Sequence, residues 1–489
     1  MAHRLVAVIG CVSVLWAGGA LGAPAKSPTK EDVNKLEKRV EQQDDVIRDL
    51  EKRIDELEGN SPDATPPVAA PPPARTDPST ATSAEEIEAQ LYPEGHQSPV
   101  ENRGAFEDRQ EAAARPGDLV LDPKYRGFIP VPRTAFMVKF NPRPRLDLME
   151  TFRNPGDSHY RFKPALFPIE HTPAYDAGAQ FDAGANGSQI RVDLRAPALE
   201  GNLRVYYQND FFDSDTSHMK YRLQHLYGQF HGVVGGFTYS FWEDPDAWPD
   251  TVDYQGPNAM INARRPVLHF TRELTEHWNY TIGLEDPNTE IDTSGDTDST
   301  KRQNAPDGGI NIRWEPGSFG HLQFSTIVRS LAVRNGLVDH DDTIGWGVNL
   351  GGAISLTDND KLQFLGVVGE GVGSLGNDAG FDNNDAAFRS NGDLRALPYQ
   401  SGMLALTHKW TPTFRSTGTF GYVHLDNASQ QLGGAYHETY YGSLNMIYML
   451  YKRLGIGLEG LYGRREVNNG DDSGDIFRVQ LGLVYAPFD

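Results

Sequence analysis

The chain has 489 residues, of which 38% are hydrophobic, and its 45 Lys and Arg against 67 Asp and Glu give a formal charge of −22. A mean hydropathy of −0.52 excludes a bundle of membrane-spanning helices, each of which needs about 20 consecutive apolar residues. The acidity disfavours a broad grip on nucleic acid, a 10% aromatic content excludes disorder throughout, and the single cysteine, Cys11, leaves neither a disulfide framework nor a Cys-based metal site.

Residues 1–25 read as a secretory leader. His3 and Arg4 precede an apolar run from Leu5 to Leu21, and small residues follow at Ala20, Gly22, Ala23 and Ala25. The rival reading is an anchor helix, but the run is short and interrupted by glycine. Residues 31–58 carry a heptad. Val33, Val40, Ile47 and Ile54 hold one seam position, and Leu36, Gln43, Leu50 and Leu57 hold the other. Such spacing keeps one stripe facing a partner helix, so a coiled coil is expected rather than a lone charged helix. On peptide rules the seam residues favour a dimer, and Gln43 can set register or oligomer state. Residues 59–126 are a Pro- and Ala-rich linker followed by a polar, poorly ordered stretch.

Over 127–489 the period becomes two. From Phe136 to Leu148 the even positions (Phe136, Val138, Phe140, Pro142, Pro144, Leu146, Leu148) are apolar. The odd ones (Lys139, Asn141, Arg143, Arg145, Asp147) are polar. Side chains alternate across a strand, so the two sets lie on opposite faces. The alternation recurs through Ile190–Leu194, Leu203–Tyr207, Ile310–Trp314, Ile344–Leu350 and Phe477–Tyr485. It predicts about sixteen strands of roughly ten residues each, the length a transmembrane strand needs. They start near 136, 188, 202, 221, 233, 264, 277, 309, 319, 343, 361, 401, 414, 437, 453 and 476. Pro142 and Pro144 cannot donate ladder bonds, so the first strand is expected to bend there.

A two-sheet sandwich would also alternate. Here the polar face is rich in arginine, and aromatics sit near strand ends (Phe136, Tyr207, Trp314, Tyr485), as in lipid-facing barrels. The expected fold is all-β: a 16-stranded antiparallel transmembrane β-barrel with an N-terminal coiled-coil helix. A barrel of that size leaves an aqueous channel, and Gly345, Gly347 and Gly351 on the inner face would leave open space. Short connections (230–233, 449–454) belong to the periplasmic rim, and the long loops 286–308, 371–400 and 466–475 to the outer one. Asp378, Asp382 and Asp385 carry oxygen ligands suited to calcium, but their spacing matches no EF-hand, and a solvated loop is the expectation.

The segment 242–263 holds Glu243, Asp244, Asp246, Asp250 and Asp253 and is expected to fold into the lumen as a constriction. Facing it, Lys139, Arg143, Arg145, Arg191, Arg195, Arg204, Arg222, Arg313 and Arg329 would line the pore. Rings of Arg and Lys favour anions, and guanidinium grips carboxylate or phosphate bidentately. The alternative is that these arginines pair with Asp147, Asp193 and Asp210 on neighbouring strands. No catalytic arrangement, cofactor or metal site is expected. The chain has no HExxH pair, no GxSxG elbow and no P-loop; the glycines of 232–237 fall in a strand with no helix after it.

The stretch GFTYSFWEDPDAWPDTVDYQGPNA, 236–259, resembles the DcaP-like trimeric outer-membrane porin family. Gly236, Thr238, Ser240, Asp244, Ala247, Pro249, Thr251, Asp253, Gly256 and Pro257 carry the likeness. The stretch LNMIYMLYKRLGIGLEGLYGRREVNNGD adds Asn445, Gly457, Glu459, Tyr462, Gly463 and Arg465. The resemblance implies a homotrimer of sixteen-stranded barrels in outer-membrane lipid, passing small and often anionic solutes such as dicarboxylates. The family's trimer is preferred to the dimer of the seam rules. The competing expectations are a structural protein tethering the outer membrane through its coiled coil, and a phosphate-type anion-selective porin.

Overall fold

A computed structural model of the chain describes residues 112–114, 127–196, 203–212, 219–294, 298–335, 339–381, 383–451, 453–470 and 472–486. The leader, the heptads and most of 59–126 lie outside the described residues. Twenty strand segments join in one sheet, in which every pairing is antiparallel. Neighbouring segments pair in turn, and the last, Ser473–Tyr485, pairs back onto Arg145–Thr151 near the start, with Val484 opposite Arg145. The sheet therefore closes on itself. Among the described residues no helix is long and apolar enough to cross a membrane; the only helical pieces there are single 3-10 turns.

The period-two reading locates these strands closely. Met137–Arg143, Leu203–Asp210, Arg222–Phe230, Val233–Tyr239, Arg264–Thr275 and Phe414–Leu425 begin within one residue of expectation. The proline expectation also holds. The first strand breaks at Pro144 into Met137–Arg143 and Arg145–Thr151, and its partner breaks in register into Gln180–Gly184 and Gln189–Ala196. Parity survives the break: Phe140 and Leu146 stay outside, while Asn141, Arg143, Arg145 and Asp147 stay inside. Some strands exceed the expected length, Gly320–Asn335 and Asp339–Ser355 being 16 and 17 residues. Their outer ends pair with each other as far as Asn335 and Asp339, and the end of Gly320–Asn335 also pairs with Ser299–Arg302. Short strands inside the long loops lie beyond the sequence expectation. Ile291–Asp292, Ala386–Phe388 and Leu394–Ala396 form a separate three-stranded sheet, sealed on Leu331 and Val333 by a small apolar cluster. Segments of two or three residues carry too little periodic signal to be read.

The inverted distribution of polarity is the principal feature. Leu268, Ile282, Phe324, Val328, Leu350, Val368, Leu404, Phe420, Leu444 and Leu458 are exposed on the outer wall. Arg191, Arg204, Asn349, Gln363, Asn445 and Arg478 are almost fully buried on the inner one. Water would penalise that exterior, whereas hydrocarbon suits it provided the backbone is paired throughout, as a closed sheet ensures. Trp278 and Trp314, with ring centroids 6.0 Å apart, and Phe319 beside Trp314 form part of an aromatic belt at the rim with short turns. One of those turns is His231–Gly232, where positive φ values of 51° and 78° match the two-residue hairpin turn with both central residues left-handed.

Val328 lies near the middle of its strand and is exposed. Val328→Arg is expected to cost about 2–4 kcal/mol of folding stability in lipid vesicles, measured by urea titration; an unchanged midpoint would show that this face does not meet hydrocarbon.

Candidate functional site: a loop held inside the barrel

The strand Val233–Tyr239 ends in a turn at Ser240, and the chain then enters the barrel, returning to the wall only at Arg264. Between them Trp242, Glu243, Asp244, Asp250, Val252, Asp253, Asn258, Ala259 and Met260 are buried. The wall holds this loop by its backbone carbonyls. Asn311 donates to Phe241 O (2.9 Å), Asn349 to Trp242 O and Gln323 to Glu243 O (2.7 Å). Further along, Gln363 donates to Trp248 O (3.0 Å), Asn445 to Asp250 O (2.8 Å) and Ser401 to Ala259 O (3.1 Å). Inward amides on several strands thus satisfy a segment that forms no ladder of its own, as buried backbone requires. The sequence reading missed these contacts because it weighed the arginines; the signal was there in Asn and Gln falling at inward parity.

Glycines make the fit possible. A Cβ at Gly347 would lie 2.7 Å from the Trp242 ring, and one at Gly283 would lie 2.1 Å from the Phe241 ring. The expectation that Gly347 and Gly351 leave open space is therefore corrected. Trp242 fills the room beside Gly347, and the Asp244 carboxylate sits beside Gly351. Gly345 instead packs against the backbone oxygens of Glu370 and Gly371.

The loop's acids are engaged with the wall. Asp244 accepts from His321 Nε2 (2.8 Å) and Arg313 Nη1 (3.3 Å). Asp246 pairs with Arg313 at 2.9 Å, and Asp250 accepts from Arg415 Nε at 2.6 Å. Asp253 works as a local cap, accepting from the amides of Gly256 (2.9 Å) and Phe162 (3.2 Å), while its own amide donates to Glu459 (2.6 Å). Burial works against the charge on Asp244, but His321 and Arg313 outweigh it and hold the carboxyl below the usual carboxylate range. Glu243 differs. Burial pushes its carboxyl well above the ordinary value, and one carboxyl oxygen accepts from the Ala263 amide.

The nine basic residues divide into two groups. Lys139, Arg143, Arg145, Arg191, Arg195, Arg204 and Arg222 stand on neighbouring strands, with Asn141 opposite Arg191, Arg143 opposite Gln189 and Arg195 opposite Arg204. Several pair with acids as the alternative reading anticipated. Arg145 pairs with Asp147 (2.6 Å), Arg195 (2.9 Å) and Arg204 (3.0 Å) share Asp193, and Arg222 pairs with Asp210 (2.6 Å). Arg145 also donates to Val252 O of the loop. Arg191 donates to Gln189 (3.0 Å), and Lys139 lies half-buried opposite Asp193. At the outer end Arg222 and Arg161 stack about the Phe212 ring, 5.2 and 5.4 Å from its centroid. Arg161 escaped the sequence reading because no strand parity marks a loop residue.

Arg313 and Arg329 stand apart on the far wall. Arg313 is committed to Asp244, Asp246 and Glu315. Arg329 is fully buried and donates to Asp307 (2.8 Å), Gly371 O (2.8 Å), Pro287 O (2.7 Å) and Ser374 Oγ (3.0 Å), with Asp385 at 3.0 Å. It ties both long outer loops to the wall. The solvated-loop expectation for Asp378 and Asp385 is corrected on the same ground, since both are buried anchors. Asp378 accepts from the Ala165 amide (3.0 Å) and Thr439 Oγ1 (2.7 Å). Asp382 lies outside the described residues. Among the described residues no cluster of His, Cys, Asp and Glu could hold a metal ion.

This closed, inside-out sheet with an internal loop is the architecture of a transmembrane β-barrel. The outer membrane channel DcaP of Acinetobacter baumannii superposes with a TM-score of 0.63 over 72% of this chain and 97% of its own, at 19% identity. The two therefore share a fold, the one the sequence resemblance implies. An anion-selective porin from Comamonas acidovorans matches at 0.45 (11% identity, 72% of this chain and 99% of its own). The outer-membrane-expressed OmpT of Vibrio cholerae matches at 0.46 (10% identity, 73% and 99%). These two likenesses are too loose to bear on this chain's properties. No protein-family profile matches the sequence, and no curated protein does.

Two outcomes are expected. Removing Arg329 leaves Asp307 and Asp385 buried together without their cation, so Arg329→Ala should cost about 3–5 kcal/mol and open loops 286–298 and 371–397 to protease; intact loops would show that Arg329 is no anchor. A carboxyl whose folded value is raised contributes stability that is full below its unfolded value of about 4.3 and is lost as pH rises through the folded one. Glu243→Gln removes that loss, so its thermal midpoint should exceed the parent's above pH ~7 and approach it near pH ~4. Parallel curves at every pH would show that Glu243 ionises freely.

Proposed function

We propose that the chain is an outer-membrane porin: a water-filled conduit for passive diffusion of small, mainly anionic solutes, dicarboxylates among them, and not an enzyme. The observation that carries the reading is a closed sheet, apolar outside and ionic inside, with a long internal loop whose backbone is held mainly by the strands between Asp307 and Val467 and which meets the basic strands at Val252 and Tyr254. That loop is held by amides and by Arg313, His321 and Arg415. The other side bears Lys139, Arg143, Arg191, Arg195 and Arg204 on three adjacent strands. A guanidinium-rich wall beside a loop whose acids are already paired favours anions.

Counting the segments interrupted at Pro144 and at 185–188 as one each, joining Ser299–Arg302 to Asp307–Trp314 and leaving out the two-residue Ile129–Pro130 would give sixteen staves, a barrel of the size that encloses an aqueous channel rather than a packed core. The leader would deliver the chain across the inner membrane. The turn-bearing rim would face the periplasm together with residues 31–126, and the heptads would join three copies into a homotrimer. Opposed fields across the lumen are a smaller part of the selectivity than the composition suggests, because Asp244, Asp246 and Asp250 are matched by cations of their own wall.

The test is a planar bilayer in a salt gradient. Stepwise triplet openings with a reversal potential of anionic sign are expected. Arg143→Ala with Arg191→Ala should move that potential toward zero, whereas Arg329→Ala should not. No conductance at all would favour a tethering protein of the envelope, and an unmoved potential in the double variant would remove those two residues from the filter.

A further inference from the structure

One stave of the outer wall is irregular. Ser299–Arg302 and Asp307–Trp314 both pair with Gly320–Asn335, Arg302 opposite Ala332 and Gly308 opposite Val328. The interrupted stave therefore uses two more residues than its partner over the same span. Extra residues leave the ladder, as at a bulge, and the link 303–306 is exposed. Its Ala305 and Pro306, with Pro266, Leu268, Leu284 and Pro287, line an open groove of about 510 Å³.

The groove suits hydrocarbon. Leu268 and Leu284 are 56% and 51% exposed and belong to the apolar band of the outer wall, so the groove is continuous with that band. Pro266, Pro287 and Pro306 bring no amide that needs a partner. The carbonyls beside them are engaged from within. Pro266 O accepts from the Asp286 amide (3.0 Å), Asp286 O from Arg265 Nη1 (3.0 Å) and Pro287 O from Arg329 Nη2 (2.7 Å). Both arginines are buried. Backbone satisfied in this way can meet lipid.

Register sets the level. Trp278 lies opposite Trp314 at the turn-bearing rim, and Glu285 lies opposite Asp307 at the other end of the same pair. The groove therefore sits at the end of the apolar band away from the short turns. Just beyond it, Arg334 shares the outward parity of Val328, and Arg302 stands beside it, opposite Ala332; both arginines are exposed. Gln303 and Asn304 form the near rim. Asp286 on the rim and the exposed Asp342 opposite Ala332 carry the opposite sign.

We propose that this groove binds one acyl chain of an anionic, phosphorylated lipid in the leaflet opposite the short turns, with the phosphate on the side of Arg302 and Arg334. Guanidinium groups grip phosphate bidentately, and Gln303 and Asn304 offer amides to the lipid's polar backbone. Asp286 and Asp342 repel phosphate, which confines the headgroup to the arginine side. The proposal rests on the outer wall facing hydrocarbon and is independent of whether the pore conducts.

The full chain is folded into phosphatidylcholine vesicles and extracted into mild detergent. It is then titrated with phosphatidic acid or with diacylglycerol of the same chains, two probes that differ only in the phosphate, and the adducts are counted by native mass spectrometry. One phosphatidic acid per chain is expected, bound about tenfold or more tightly than diacylglycerol. Ala305→Trp fills the groove from an exposed position and should weaken both lipids about tenfold. Arg302→Ala with Arg334→Ala should bring phosphatidic acid down to the level of diacylglycerol and leave diacylglycerol unchanged. Neither variant touches the internal loop or the basic strands, so conductance should match the parent's in both. Equal binding by the parent and Ala305→Trp, or equal binding of the two lipids by the parent, overturns the site while leaving the porin standing. A chain that fails to enter the vesicles overturns the reading of the outer wall itself.

Discussion

Backbone hydrogen bonding without water governs this molecule. A strand in hydrocarbon must find every partner within the protein, so a sheet there has to close. Closure brings the last strand onto the first and turns the usual polarity inside out. The apolar half of each strand needs no core because lipid supplies its surroundings. The polar half, facing a confined lumen, has to be satisfied by what the barrel contains, and the contents follow from that. An internal loop offers carbonyls to Asn and Gln, and acids to Arg and His.

The interior is therefore asymmetric by chemistry. One side spends its polarity on holding the loop: Asn311, Gln323, Asn349, Gln363 and Asn445 reach carbonyls, and Arg313 and Arg415 reach carboxylates. Buried pairs of this kind are weak evidence of stability but strong determinants of position, since loss of either partner strands a charge. The glycines at 283 and 347 show the same division from the packing side, for they mark where Phe241 and Trp242 approach the wall. The other side carries basic residues in excess of its acids; Asp193 is shared between Arg195 and Arg204. On the porin reading, selectivity would belong to these basic strands, which the loop touches only through Val252 and Tyr254.

Much of the barrel was legible because a strand's period is two and an error of one residue would invert the wall. Phe140 and Arg143 could not be exchanged without cost, and they point where parity places them. Pro144 marks its break because proline lacks the amide that a ladder needs. The site was less legible. Loop entry could be read from the acids of 242–263, but not which strands would meet them, because contacts between a loop and a distant strand have no period. Arg313 and Arg329 carry the same inward signature as Arg191, and only the approach of Asp244 and Asp385 separates an anchor from a lining group. Glycine misled for a related reason: a missing side chain reads as free space until a neighbour such as Trp242 is known to occupy it.

Ala112–Ala114 shows where sequence patterning stops informing. Nothing periodic surrounds them, and a Pro- and Ala-rich approach argues for a strap outside the barrel. Yet a closed sheet offers only two openings, and the first strand begins at the turn-bearing one. Tyr227 Oη donates to Ala112 O and Arg204 Nη1 to Ala113 O, so small residues lie against Tyr206 and Tyr227 there.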